Sequence, residues 1–156
     1  MRVAIVGTRK ILIDFENLVK AFQKVIPADA VVTSGNAPGT DQVSKRWEKN
    51  IQYLPWATYN SQEGLGCRAI NAGDVAIYDA AIYKKWPYLV GCNPEVLRLI
   101  RRNCAIVLGI KNDHRVDAVY FYARESKSGI VEGGTKYAVE VARALGIPTT
   151  NLWSTK

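Results

Sequence analysis

The sequence is poor in the residues that most often build metal centres and nucleophilic active sites. It holds one histidine, His114, and three cysteines, Cys67, Cys92 and Cys104, with no CxxC pair and no Cys/His ligand spacing. Neither structural zinc nor a disulfide framework is expected from that set, and a reducing, cytoplasmic setting fits it best. A Ser-His-Asp or Cys-His mechanism would have to use His114, which stands in the charged, loop-like stretch at 111–115. Cys92 and Cys104 read as small core residues. No apolar run approaches the ~20 residues that span a bilayer. The N-terminus enters a strand directly, without the basic, apolar and cleavage regions of a signal peptide. No membrane role, metal or cofactor is expected. Acidic residues are also scarce, 14 against 21 Lys and Arg, for a net charge of +7. That excess favours acidic partners such as nucleotides or nucleic acid, although it says nothing about fold.

No internal repeat, low-complexity tract or linker interrupts the 156 residues, so one domain with a proper core is expected over 1–156. Residues 2–7 (RVAIVG) form a near-continuous apolar strand ended by glycine, the pattern of a strand buried on both faces. From about Asp14 a helix is predicted, because Phe15, Leu18, Val19, Phe22 and Ile26 share one helical face. Pro27 ends it, and strands are predicted at 30–33 and 51–54 with a helix at 41–49 between them. Residues 59–67 read as loop and 72–85 as helix. Pro94 opens a further helix that runs to 103. Strands follow at 104–109 and 116–123, then a polar turn at 126–134. A last helix carries Ala138, Val141, Ala142 and Leu145 and is capped by Gly146, and a strand at 147–152 closes the chain. Alternating strands and helices predict an α/β, Rossmann-like domain: a mostly parallel sheet with helices on both faces.

The stretch at 31–43 (VVTSGNAPGTDQV) organises the functional reading. A β-branched strand feeds a glycine-rich turn into a helix start, where backbone N–H groups and the helix dipole favour an anion such as phosphate. Gly35 and Gly39 allow the turn and a close ligand approach, and Ser34, Asn36, Ala37 and Thr40 surround the same spot. Asp41, in the first helical turn, stabilises a helix end. A plain strand–helix connection has the same glycines. Two further loops have the same character: Gly7, Thr8 and Arg9 after the first strand, and Gly133, Gly134 and Thr135 before the last helix. In an open parallel sheet such loops meet in one crevice, where Arg9 supplies a fixed cation. Trp56 and Tyr59, just past a strand end, are the candidates for stacking a base. Arg98, Arg101 and Arg102 read as a solvated helix face.

Val-Gly-Thr-Arg at 6–9, Ser-Gly-Asn-Ala-Pro-Gly-Thr-Asp at 34–41 and Gly-Gly-Thr at 133–135, followed by Gly-Ile-Pro at 146–148, resemble motifs of the DprA/LOG-like (SLOG) branch of Rossmann-like proteins. Small, often phage-encoded DprA-like proteins are the nearest match, sharing also Arg102-Asn103 and Val107-Leu108-Gly109. The resemblance implies a nucleotide or nucleic-acid phosphate site built from the three loops, and a homodimer paired through helix faces. The wider family includes single-strand DNA recombination mediators, nucleotide phosphoribohydrolases and sensors of nucleotide signals, so fold does not fix function. The hydrolases carry a glutamate three residues after the loop threonine. Here that position is Ala138, leaving Asp41, Glu132 and Glu140 as off-pattern catalytic candidates. The expected function is binding of a phosphate-bearing nucleotide ligand or single-stranded DNA. The alternatives are a nucleotide N-glycosidase and a sensor or sponge for a nucleotide second messenger.

Overall fold

The structure is a computed structural model that describes residues 1–56, 59–61, 67–69, 78–110 and 113–153. Its strands are β1 (Arg2–Gly7), β2 (Val31–Ser34), β3 (Asn50–Leu54), β4 (Cys67–Ala69), β5 (Ala118–Tyr122) and β6 (Thr149–Asn151). They form one six-stranded sheet in the order β4-β3-β2-β1-β5-β6, and every pairing is parallel. The α/β, Rossmann-like reading is therefore right.

Strand β1 sits at the centre, with Ala4 in register with Thr33 of β2 and Val119 of β5. Its side chains alternate between two cores. Val3 and Ile5 pack with Leu18, Val19 and Phe22 of α1 (Phe15–Val25), while Ala4 and Val6 pack on the opposite face. That second face carries α2 (Asp79–Lys85), α3 (Pro94–Leu108) and α4 (Thr135–Ala144). Because both faces are covered, consecutive residues of β1 are apolar and no polar alternation shows. The Asp14 carboxylate accepts a 3.3 Å hydrogen bond from Asn17 N and so caps α1.

Three expectations need correction. Residues 104–108 are not a strand but the C-terminal third of α3, which Pro94 opens and Asn93 caps through a 2.8 Å bond from Glu95 N. Every residue from 102 to 110 is buried. A helix turn enclosed on all sides loses its amphipathic signal and reads like a buried parallel strand. The Thr33 hydroxyl fastens this segment to the sheet, donating to the Ile106 carbonyl at 2.8 Å. The helix expected at 41–49 is a short 3₁₀ segment, Thr40–Arg46. Ser44 Oγ donates back to the Asp41 carbonyl at 2.6 Å, and the indole of Trp47 is drawn to the Pro27 carbonyl at 2.9 Å. Strand β4 falls at the end of what reads as loop. Residues 72–77 of the helix expected at 72–85 lie outside the described residues; α2 is its described end.

Candidate functional site

The chain leaves β1 towards β2 and leaves β5 towards β6, so the two connections diverge beyond adjacent strand ends. Ligands bind at such a switch point in open parallel sheets. A cleft of about 740 Å³ lies there. One wall is Val6 to Lys10 with Leu12, and the other is Ala123, Arg124 and residues 132–135. Ala37 and Asp41, Leu99, Arg102 and Asn103 of α3, and Trp153 complete it.

Gly7 and Gly39 are required by protein packing, whereas a Cβ on Gly133 or Gly134 would meet nothing within 4 Å. A Cβ on Gly7 would lie 2.5 Å from the Tyr122 carbonyl, and one on Gly39 would lie 2.3 Å from the Arg9 carbonyl. Gly39 also has φ +89°, a conformation that side chains disfavour. Thr40 holds the same junction, donating from both its N (3.1 Å) and Oγ1 (2.9 Å) to the Thr8 carbonyl. The first two loops are thus locked together, which fixes Thr8 and Arg9 at the cleft edge.

Arg102 makes the second junction. Its Nη1 donates to the Gly35 carbonyl and its Nε to Asn103 Oδ1 at 3.0 Å, while its guanidinium carbon stands 5.2 Å from the Tyr59 ring centre. A Cβ on Gly35 would run into this guanidinium at 2.6 Å, so glycine there makes room for arginine. Asn103 Nδ2 then reaches the Gly134 carbonyl at 3.0 Å. Two consecutive residues of α3 therefore tie the second loop to the third. Arg102 is only 4% exposed yet lines the cleft, and its hydrogen bonds among the described residues run through Nη1 and Nε. A buried guanidinium in a cleft wall is placed to meet an anion.

Asp41 is buried beside it and accepts a 3.1 Å bond from Ala37 N. Burial pushes its carboxyl pKa above the ordinary value; the Arg102 charge and the N–H groups of Ala37 and Gly35 pull the other way without cancelling the rise. Across the cleft, α4 begins at Thr135 with no side-chain cap, and Gly134 precedes it. The amide hydrogens at the start of a helix lack internal partners and carry the positive end of its dipole. Arg124 stands 5.6 Å from the Trp153 ring centre, and Trp153 in turn packs against Tyr122 at 4.7 Å.

Gly7, Thr8, Arg9, Ala37, Asp41, Glu132, Gly133, Gly134 and Thr135 therefore share one cleft. Ser34, Gly35, Asn36, Gly39 and Thr40 are not among its lining residues. The Ser34 hydroxyl donates to the Ile5 carbonyl at 2.6 Å. Asn36, at φ 56°, donates through Nδ2 to the Tyr59 carbonyl and accepts from Gln42 Nε2, each at 3.3 Å. These residues shape the loop from behind. Tyr59 receives Arg9 Nη2 at its hydroxyl (3.0 Å) and meets Trp56 edge-on at 5.2 Å; neither ring lines the cleft. Glu140 accepts the Trp86 indole N–H at 2.8 Å and is outside the cleft, and Ala138 is fully buried in the core. Arg102, Asn103, Arg124 and Trp153 were missed as site residues. A usable signal existed for the first two: a polar Arg-Asn pair set inside the apolar run at 99–108.

No family model matches the sequence, and no curated protein does. Among solved structures, a chain of DNA processing protein A from Helicobacter pylori, whose single-stranded DNA binding mode that structure describes, is similar with a TM-score of 0.55 at 16% identity. The match covers 97% of this chain and 64% of that one. The likeness is one of fold.

Proposed function

We propose that the cleft binds a phosphate-bearing nucleotide ligand, with single-stranded DNA as its polymeric form. The observation that carries this reading is the charge gathered in one crevice. Arg9, Lys10, Arg102 and Arg124 line it against Asp41 and Glu132, and the uncapped start of α4 opens into it. Arg102 is the fixed inner cation, already desolvated and oriented, so little is lost in ordering it when an anion arrives. Arg9 and Lys10 are exposed at the mouth and draw phosphates in. The N–H groups of Gly134 and Thr135 offer the helix-end donors that suit phosphate.

The test is titration of a labelled oligothymidylate and of nucleoside monophosphates at several salt concentrations. Polymer contacts weaken steeply with salt as counterions return, whereas a ligand enclosed in a pocket responds far less, as a second-messenger sensor would. A protein that binds neither refutes the proposal. An N-glycosidase reading has one observation in its favour. Asp41 is a cleft carboxyl whose burial favours the protonated form, as a general acid requires. Release of free base from a nucleoside monophosphate, abolished in Asp41→Asn or Glu132→Gln, would establish it.

A further inference from the structure

Next to the cleft, outside its lining, stands an aromatic and basic surface that core packing does not explain. Tyr137 is in the first turn of α4, two residues beyond Thr135. Its hydroxyl meets that of Tyr88 at 3.2 Å, and Lys136 Nζ lies 5.0 Å from the Tyr137 ring centre and 5.6 Å from that of Tyr88. Tyr88 belongs to the 3₁₀ turn Pro87–Leu89 that follows α2 and is 62% exposed. Its neighbour Trp86 is buried, packs edge-on against Tyr137 at 4.9 Å and occupies Glu140 through its indole. Lys84 and Lys85 stand exposed in the last turn of α2, with Lys85 Nζ 5.8 Å from the Trp86 ring centre.

Trp86 gains core burial, but Tyr88 does not. Its ring stays in water, held in orientation by a hydroxyl pair and a cation, with further lysines nearby. An oriented exposed ring flanked by cations is what a base and its adjoining phosphate need. The surface begins within the helix turn whose start opens into the cleft, so one extended ligand can reach both. We infer that Tyr88, with Lys136 and Tyr137, is a base-stacking subsite for single-stranded nucleic acid leaving the cleft along the first turn of α4. This rests on the nucleotide reading of the cleft and makes the polymer the preferred ligand.

The experiment compares an oligothymidylate of about twelve nucleotides with thymidine monophosphate on the full chain and its variants. Tyr88→Ala should weaken oligomer binding about tenfold, the loss of one stacked base, and leave monophosphate binding unchanged. Tyr88→Phe keeps the ring and should keep most of the affinity. Lys136→Ala should flatten the slope of log K against log salt by about 0.7, one phosphate contact on a single strand. Tyr88 is exposed, so folding is not at issue. Unchanged oligomer affinity in Tyr88→Ala, or a change only in self-association by sedimentation, overturns the subsite and leaves the cleft reading standing. A wild-type chain that binds neither ligand overturns both.

Discussion

Replacing Arg102 with methionine is the sharpest perturbation available, because the side chain keeps its reach and loses only its charge and donors. Two hydrogen bonds go, along with the contact over the Tyr59 ring. The Gly35 carbonyl loses a charged donor and Asn103 Oδ1 loses its partner, and Asp41, whose raised pKa the Arg102 charge opposes, stays buried without that opposition. A charged hydrogen bond contributes about 1.5–3 kcal/mol, and each pKa unit by which Asp41 rises further adds about 1.4 kcal/mol. Two such bonds make a deficit of about 3–6 kcal/mol before any further rise at Asp41, a large part of the ~5–15 kcal/mol typical of a domain. The sign with pH is fixed. Asp41 already has a folded pKa above its ordinary value of 3.8, so its charged form is penalised in the folded state above that folded pKa. The variant raises the folded pKa again. Its deficit should therefore be largest above the variant's folded pKa, and shrink as pH falls towards 3.8 and Asp41 takes up a proton. Urea titrations at several pH values measure this, and Asp41→Asn in the variant background should recover part of the loss. An equal deficit at every pH, together with simple additivity of the two substitutions, would refute the electrostatic account.

Arg9 is exposed and, among the described residues, its side chain is bonded only to the Tyr59 hydroxyl, so Arg9→Ala should keep its urea midpoint within error while losing roughly tenfold or more in oligonucleotide affinity, as removal of a charge-assisted contact implies. Gly39→Val forces a Cβ onto the Arg9 carbonyl at a φ of +89°, and should lower both midpoint and affinity, by about 2–4 kcal/mol in stability. Burial, and then the Asp79 charge, push the Cys104 thiol up to about 12. Iodoacetamide at pH 8 should leave Cys104 unmodified in the native chain and alkylate it in urea, as peptide mass mapping would show. Thr33→Val strands the Ile106 carbonyl that the hydroxyl serves in the core, and should cost about 1–3 kcal/mol in urea titration without altering ligand affinity.

Local pattern determined much of this protein. Apolar continuity at 2–7, the one-sided stripe from Phe15 to Ile26 and the three glycine-bearing turns each follow from a neighbour a few residues away, and all are present as strands, helix and strand-to-helix connections. The meeting of the first and third turns in one cleft was legible too, because parallel connectivity sends strand ends to a common rim. Tertiary structure alone decided the rest. Residues 104–108 are apolar whether they form strand or helix, and only their enclosure between the sheet and α4 settles the matter. The second turn carries polar residues that could face a ligand or the protein. Long-range partners, Gln52, Tyr59 and Arg102, claimed most of them. Arg102 reads as a surface charge until the fold surrounds it. Its role comes from contacts 67 residues away in the chain, and no local periodicity encodes a pairing of that range.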